Sequence, residues 1–504
     1  MRMPIVSIGL LTAALTCPAG AAVAVTAPTP IPNAPAASPL TPYIGAPAVQ
    51  KPLFPPSIPQ NKYQSTNPWN SVHNDPYASD TYTTSGPLGR SPVVTSTWLG
   101  TPAVPVDLVV VTTFDKAGRL VAAGTIADTT TGRAWVRLFL IDGDTLATLA
   151  TYDLPVQTFD PSDVTFRPAG TYFYSDNQDR TVIGSSARTM LVLSHDDESF
   201  TVDKTISLKK AIAADDEFES LQADYDGHTW FATKGGVMGT VDLEKGKVLG
   251  TFAMSGEQII NSMAADPDGG LYVASTKRMY RFDTTAKGKP SLTWRMKYDS
   301  GDRVKPGQVG LGTGTTPTLM GDKYVAITDN ADPRMHVMVY KRAATVSGDR
   351  VACKVPVFQR NRSATENSLI GTNKSLVVEN NYGYASMDTT TGGVTTTPGI
   401  TRIDVKSGKC SKKWTNFQES IPSAVSKLSV SNGLIYTYTK PSGPGTDDPW
   451  YFTAMDFRTG KVVYKVLTGT GKLYNNHYAS VYLGPNGAAY VGVLGGIVKI
   501  RDGG

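Results

Sequence analysis

"DGGLYVAST", residues 268–276, sets a turn glycine ahead of a short alternation of apolar residues that stops on polar ones. An Asp-Gly pair feeding such an alternation reads as a hairpin turn followed by a half-buried strand. The cadence recurs as "AGRLVAAGT" (117–125), "AGTYFYSDN" (169–177), "DGHTWFATK" (226–234) and "MGDKYVAITDN" (320–330). It continues in "IGTNKSLVVEN" (370–380), "NGLIYTYTK" (432–440) and "NGAAYVGVL" (486–494). The anchor glycines lie about 50 residues apart, a period that marks repeat architectures. Further strands and tight turns follow each anchor, as at 242–247, 404–409 and 456–461, where an Asp precedes a Gly by four residues and a Lys by five. Four short strands per unit of that length predict an all-β fold, a single β-propeller of eight blades, with seven as the alternative count. The last unit runs out after "GGIVKIRDGG" (495–504), so an N-terminal strand from 91–100 or 106–114 is expected to complete it and close the ring.

The stretch "TAMDFRTGKVVY" (453–464) has Ala454 and Asp456, Gly460 four residues on, and an aromatic, Tyr464, four later. It is similar to the repeat motif of the quinoprotein-like (PQQ-like repeat) eight-bladed propellers, with Tyr464 where that motif usually has Trp. The resemblance covers residues 93–504 and implies blade packing, not catalysis. Redox members of that family carry adjacent cysteines beside their cofactor. This chain has no Cys-Cys pair, so PQQ chemistry is not carried over.

The 504 residues carry a formal net charge of +5 with no concentrated basic run, which gives no nucleic-acid footprint. At the N-terminus, Arg2, the apolar run 4–15 and the small residues Ala22, Val23 and Ala24 read as a cleavable signal peptide over 1–24. The mature protein is expected to be secreted, extracellular or periplasmic, monomeric, and without a transmembrane segment. Residues 25–66 hold eleven prolines between Pro28 and Pro59 and read as an extended, semi-rigid tether that buries little. Aromatic and turn residues return in 67–92, an ordered extension ahead of the propeller at 93–504. Cys353 and Cys410 survive export, and in an oxidising compartment a lone pair is expected to bridge.

Propellers bind ligands where the loops entering innermost strands and leaving second strands converge on the axis. That rule puts Asp329, Asn330, Glu379, Asn380, Asn381 and Lys440 on the axial funnel as strand ends. Glu366, Asn367 and Lys427 join them as strand starts, and His477 comes from the last blade. Such oxygens suit a hard cation, so calcium is a candidate cofactor. With loops 382–399 and 441–450, they equally suit a polar small molecule or glycan. The glycine-rich segment 307–317 reads as a flexible loop, because it does not join a strand to a helix.

No Gly-x-Ser-x-Gly, His-Glu-x-x-His or Walker motif is present. The sequence therefore reads first as a binding or scaffold propeller holding an extracellular polar ligand in its funnel. The alternative is an extracellular hydrolase or lyase acting on a carbohydrate or ester, calcium-assisted, with Glu366, Glu379 and His477 as catalytic candidates. A Glu366–Glu379 pair would supply acid and base for glycoside cleavage if their separation allows.

Overall fold

The computed structural model describes residues 27–36, 38–100, 106–128, 130–160, 168–443 and 447–503, the side chains of 106–108 and 110 aside. The signal-peptide reading of 1–24 lies outside them. Eight antiparallel sheets follow one another along the chain. Blade one begins at Val106–Phe114, blade two at Phe173–Ser175, blade three at Phe218–Ala223 and blade four at Ala264–Ala265. Blades five to eight begin at Thr318–Met320, Ile370–Gly371, Lys427–Ser429 and Val481–Leu483. Among the described residues, helix is confined to two short 3-10 turns, Met387–Thr390 and Lys472–Tyr474.

Blade eight has three strands of its own, ending with Gly496–Arg501, and its fourth is Val93–Trp98. The two pair antiparallel from Val93 opposite Arg501 to Trp98 opposite Gly496. The first of the two expected closing stretches thus seals the ring, and the second becomes the innermost strand of blade one. Inner strands are buried on both faces, as in Leu271–Ala274, while outer strands such as Pro290–Lys297 are mostly half-exposed. Aromatic residues pack where blades face each other, with Tyr272, Trp294 and Tyr340 in one cluster.

A carboxylate organises the first hairpin of blades one to four. Asp115, Asp176, Asp224 and Asp266 each accept the backbone N–H groups two and four residues on. The residue three on takes a left-handed conformation, at Gly118, Asp179, Gly227 and Gly269. This local Asx bonding competes with extended backbone and fixes the turn. It also corrects one anchor. Gly170 precedes the innermost strand of blade two, whose equivalent turn is 176–180, so Asp176 and Asn177 lie at the hairpin face opposite the funnel.

The proline-rich segment is not a free tether. Its extended backbone leaves donors and acceptors for neighbouring strands, and it lies along blades seven and eight. Tyr43–Gly45 adds a strand to Val462–Thr470. Ile31 is 2% exposed within the core those blades share. Trp98 N–H donates to the Thr29 carbonyl (2.7 Å), and Leu53 N–H to that of Val430 (2.7 Å). Ordered structure therefore begins well before residue 67.

Residues 61–82 then run around the inner end of the ring and touch every blade. Asn61 Nδ2 donates to the Ala223 and Asp224 carbonyls of blade three, and Ser65 N–H to Ser175 of blade two. Trp69 Nε1 reaches the Leu483 carbonyl of blade eight (2.9 Å), and Val72 packs with Val111 of blade one. The carbonyls of Pro76, Tyr77, Ser79 and Asp80 accept N–H groups from Ala265, Leu319, Gly371 and Leu428, of blades four to seven. This plug uses the innermost strands' spare backbone groups, which an open channel would leave to water.

Cys353 and Cys410 form a disulfide between the outer strands of blades five and six, with Cα atoms 5.8 Å apart.

Candidate functional site

The plug meets blades six and seven through a buried polar cluster. Lys427 Nζ donates to the Val72 carbonyl (2.6 Å) and pairs with Asp80. Asp80 also receives Ser368 Oγ and meets His73 Nδ1 at 3.1 Å. Burial works to raise the Asp80 carboxyl, but Lys427 and His73 hold it below its ordinary range. Burial pulls the Lys427 ammonium down, against the attraction of Asp80. Asp75 accepts Ser79 Oγ (2.5 Å) and Tyr77 N–H (2.9 Å), yet burial pushes its carboxyl up to about 7. Ser368, His73 and Asp80 have the composition of a hydrolytic triad without its geometry. Serine and aspartate meet the same ring nitrogen, Nδ1, so the imidazole cannot relay a proton between them.

Glu379 ends the second strand of blade six at 1% exposure. Its Oε1 accepts Ser426 N–H (2.9 Å), and its Oε2 is buried without a hydrogen-bond partner. Burial pushes its carboxyl up to about 7, the negative charge of Asp80 adds to that, and the Ser426 bonds oppose it. The carboxylate that the sequence places on the funnel is sealed on the axis. A glycoside cannot reach it in this arrangement, and it does not form an accessible acid–base pair with Glu366. Glu366 is half-buried, with Oε2 accepting Val309 N–H (3.1 Å).

The other predicted residues hold loops together. Asn380 accepts Ala364 N–H (3.2 Å) and donates to the Arg362 carbonyl (3.0 Å). Asn381 accepts Glu366 N–H and donates to the Ile421 carbonyl, joining blades six and seven. Asn367 Nδ2 donates to the Ala424 carbonyl (2.7 Å). Asp329 accepts His336 N–H and pairs with its ring, while Asn330 donates to the Ser300 and Arg303 carbonyls. Lys440 is buried, donating to the Val394 carbonyl (2.7 Å) and pairing with Asp448 (3.0 Å). His477 Nδ1 lies 2.9 Å from the Tyr384 hydroxyl and keeps partial exposure.

The two long loops interlock over blades six to eight. Asp448 accepts the N–H groups of Gly392 and Gly393, both at 2.8 Å. The glycine-rich segment serves close packing. A Cβ at Gly314 would lie 2.6 Å from the Glu366 Cα, and one at Gly307 would collide with the Asn381 carbonyl. It is a packed wall over the funnel, not a flexible loop.

For a metal, Asp115, Asp179 and His195 bring ligand atoms within 4.8 Å of one another on the opposite face. Asp115 Oδ2 there already takes Arg119 Nε (2.6 Å) and His195 Nε2 (3.1 Å), so a guanidinium fills the place a cation would need. His195 ends the third strand of blade two and His228 closes the 224–228 turn of blade three, both on that face.

A cavity of about 1000 Å³ also opens on the hairpin face, between the N-terminal arm and the turns of blades five and six. Pro55, Pro56 and Tyr324 supply apolar wall, Asp75 and Tyr77 come from the plug, and Lys323, Lys374, Lys406 and Lys413 stand around the rim. The sequence reading missed this site, since these lysines look like scattered solvated charges until the ring closes. Its one signal is the recurrence of lysine in the turns of adjacent units.

A Comamonas testosteroni quinohemoprotein alcohol dehydrogenase structure superposes with a TM-score of 0.52 at 11% identity, covering 86% of this chain and 80% of that one. The fold is that of the quinoprotein-like eight-bladed propellers. BamB from Moraxella catarrhalis aligns over 82% of this chain and 98% of its own, at 13% identity and a TM-score of 0.47. At such identities the likeness shows the fold alone. In sequence, an uncharacterized protein of Archaeoglobus fulgidus is 28% identical over 322 residues, 57% of this chain and 62% of that protein. The chain thus spans less than two thirds of that relative's length. No protein-family model matches the chain. No helix among the described residues is long and apolar enough to cross a membrane.

Proposed function

We propose that this protein is an exported, monomeric binding propeller that holds an extracellular polar ligand, with a scaffold rather than a catalytic role. The cavity of about 1000 Å³ on the hairpin face carries this reading. Its volume is that of a small-molecule or oligosaccharide site. The axial groups, by contrast, are consumed by internal contacts. Eight of the ten funnel residues are buried, all but Glu366 and His477. The ligand site therefore moves from the funnel to the opposite face. The apolar N-terminal run and the disulfide support export.

Incubating the mature protein with a glycan array, and with the same glycans in solution with and without chelator, tests the role. Retention of unmodified glycan is expected. Cleavage products that accumulate with time would replace the binding role with the hydrolase or lyase alternative.

A further inference from the structure

We infer that the cavity under the N-terminal arm takes an oligosaccharide bearing oxyanions, carboxylate or sulfate; this rests on the binding role proposed above. Four lysines and three aspartates line the cavity, and of the aspartates Asp75 is sealed in the plug. Lys323, Lys374 and Lys406 line it from the turns of blades five and six and Lys413 from the outer strand of blade six, all exposed. Among the described residues, Lys323, Lys374 and Lys406 have no carboxylate within 4.0 Å, and Lys413 reaches Asp404 only at 4.0 Å. Asp404 is engaged by Arg402, at 2.8 and 3.1 Å, and by Ser375 at 2.8 Å, so it does not neutralise the rim. Asp322 is the other lining carboxylate at the surface. Cations left without partners around a concave surface attract anions and raise their local concentration.

The walls argue for a sugar backbone rather than a lone ion. A single sulfate or carboxylate fills a small part of about 1000 Å³. Pro55, Pro56 and Pro59 of the arm, with Tyr324 opposite, present the apolar faces against which pyranose rings stack. The arm itself is anchored beside the cavity, by Leu53 N–H on the carbonyl of Val430, a lining residue, and by Arg458 on the Lys51 and Pro52 carbonyls. That wall is therefore preformed, which lowers the cost of binding.

Calorimetric titration of the intact mature chain with tetragalacturonate, a sulfated heparin tetrasaccharide and neutral cellotetraose tests this. One or both acidic probes are expected to bind, more weakly as salt rises from 20 to 200 mM, and the stronger of the two names the oxyanion. K374A/K406A should weaken that binding at least tenfold, K374R/K406R should restore most of it, and the distant exposed pair K209A/K210A should leave it unchanged. Acidic binding indifferent to K374A/K406A overturns the inference. So does cellotetraose binding as tightly as the acidic probes, a result that would leave the broader binding role standing. Failure of all three probes at millimolar concentration also overturns it, whereas the broader role falls if the glycan array is turned over or retains nothing.

Discussion

Lys427 and Asp80, 347 positions apart in the chain, form an ion pair at 0% side-chain exposure on the propeller axis. It fastens the N-terminal plug to the innermost strand of blade seven. A charge buried this deeply is tolerable only with its partner present. Asp80→Ala or Lys427→Ala alone is thus expected to cost about 3–5 kcal/mol, because each leaves an uncompensated buried charge. The double variant Asp80→Ala/Lys427→Ala should cost less than the sum of its two singles. Urea unfolding of the four-member cycle measures the coupling. Additive costs would show that the pair does not hold the plug.

Removing residues 27–60 should destabilise the propeller. Burying a side chain such as Ile31 stabilises by about 1.5–3 kcal/mol, and each backbone bond along blade seven adds about 1 kcal/mol net. The Tyr474 hydroxyl would also lose the Ile31 carbonyl, 2.9 Å away. The 61–504 truncation is expected to unfold at clearly lower urea concentration than the mature chain. An unchanged midpoint would mean that the arm lies on the surface without contributing.

The Cys353–Cys410 bridge closes a loop of 57 residues across two blades. Chain-entropy reasoning gives about 4 kcal/mol for a loop that long, with 2–4 kcal/mol the usual measured range. Cys353→Ser/Cys410→Ser should lower stability by that order in denaturant without changing the β-rich far-UV spectrum. Non-reducing peptide mapping of the exported protein should recover the two cysteines in one linked peptide. Recovering two free thiols would contradict the bridge.

The blades were legible because seven of the eight repeat one physical requirement, a residue with positive φ ahead of a strand buried on both faces; blade six turns at 372–374 without one. Gly227 and Gly487 meet it with φ of 98° and 76°. Blade two hid its turn because Asp179 fills that place, and Gly170 drew the reading one strand early. The site was not legible. An amide at a strand end has the same composition whether it binds a ligand or staples a loop, and Asn381 staples through Glu366 N–H and the Ile421 carbonyl. Only the folded partners distinguish the two. The plug was opaque for a related reason. Residues 67–82 are rich in polar and turn-forming types, which suits a surface loop, yet Asn70 and Asp80 are fully buried because innermost strands use their carbonyls, through Ser175 and Leu428 N–H.

Glu379 makes the strongest pH prediction. Its carboxyl titrates near 4.5 in the unfolded chain and is pushed up to about 7 in the folded one, first by burial. Between those values the folded state binds more protons than the unfolded state, so stability must fall as pH rises. The protonated form's stability is fully present below about 4.5 and lost as pH passes 7, at about 1.4 kcal/mol per pH unit. Asp75, raised from 3.8 to about 7, acts in the same direction. Glu379→Gln keeps a donor where the protonated acid has one and cannot ionise. The variant should therefore match wild type near pH 5 and exceed it at pH 8, by on the order of 1–3 kcal/mol. Adding Asp75→Asn should flatten the remaining slope. Urea unfolding at pH 5, 6, 7 and 8 on all three proteins reads this directly. If wild type and Glu379→Gln lose stability in parallel across that range, Glu379 is charged in the folded protein, and Oε2 has a partner that the sealed axis conceals.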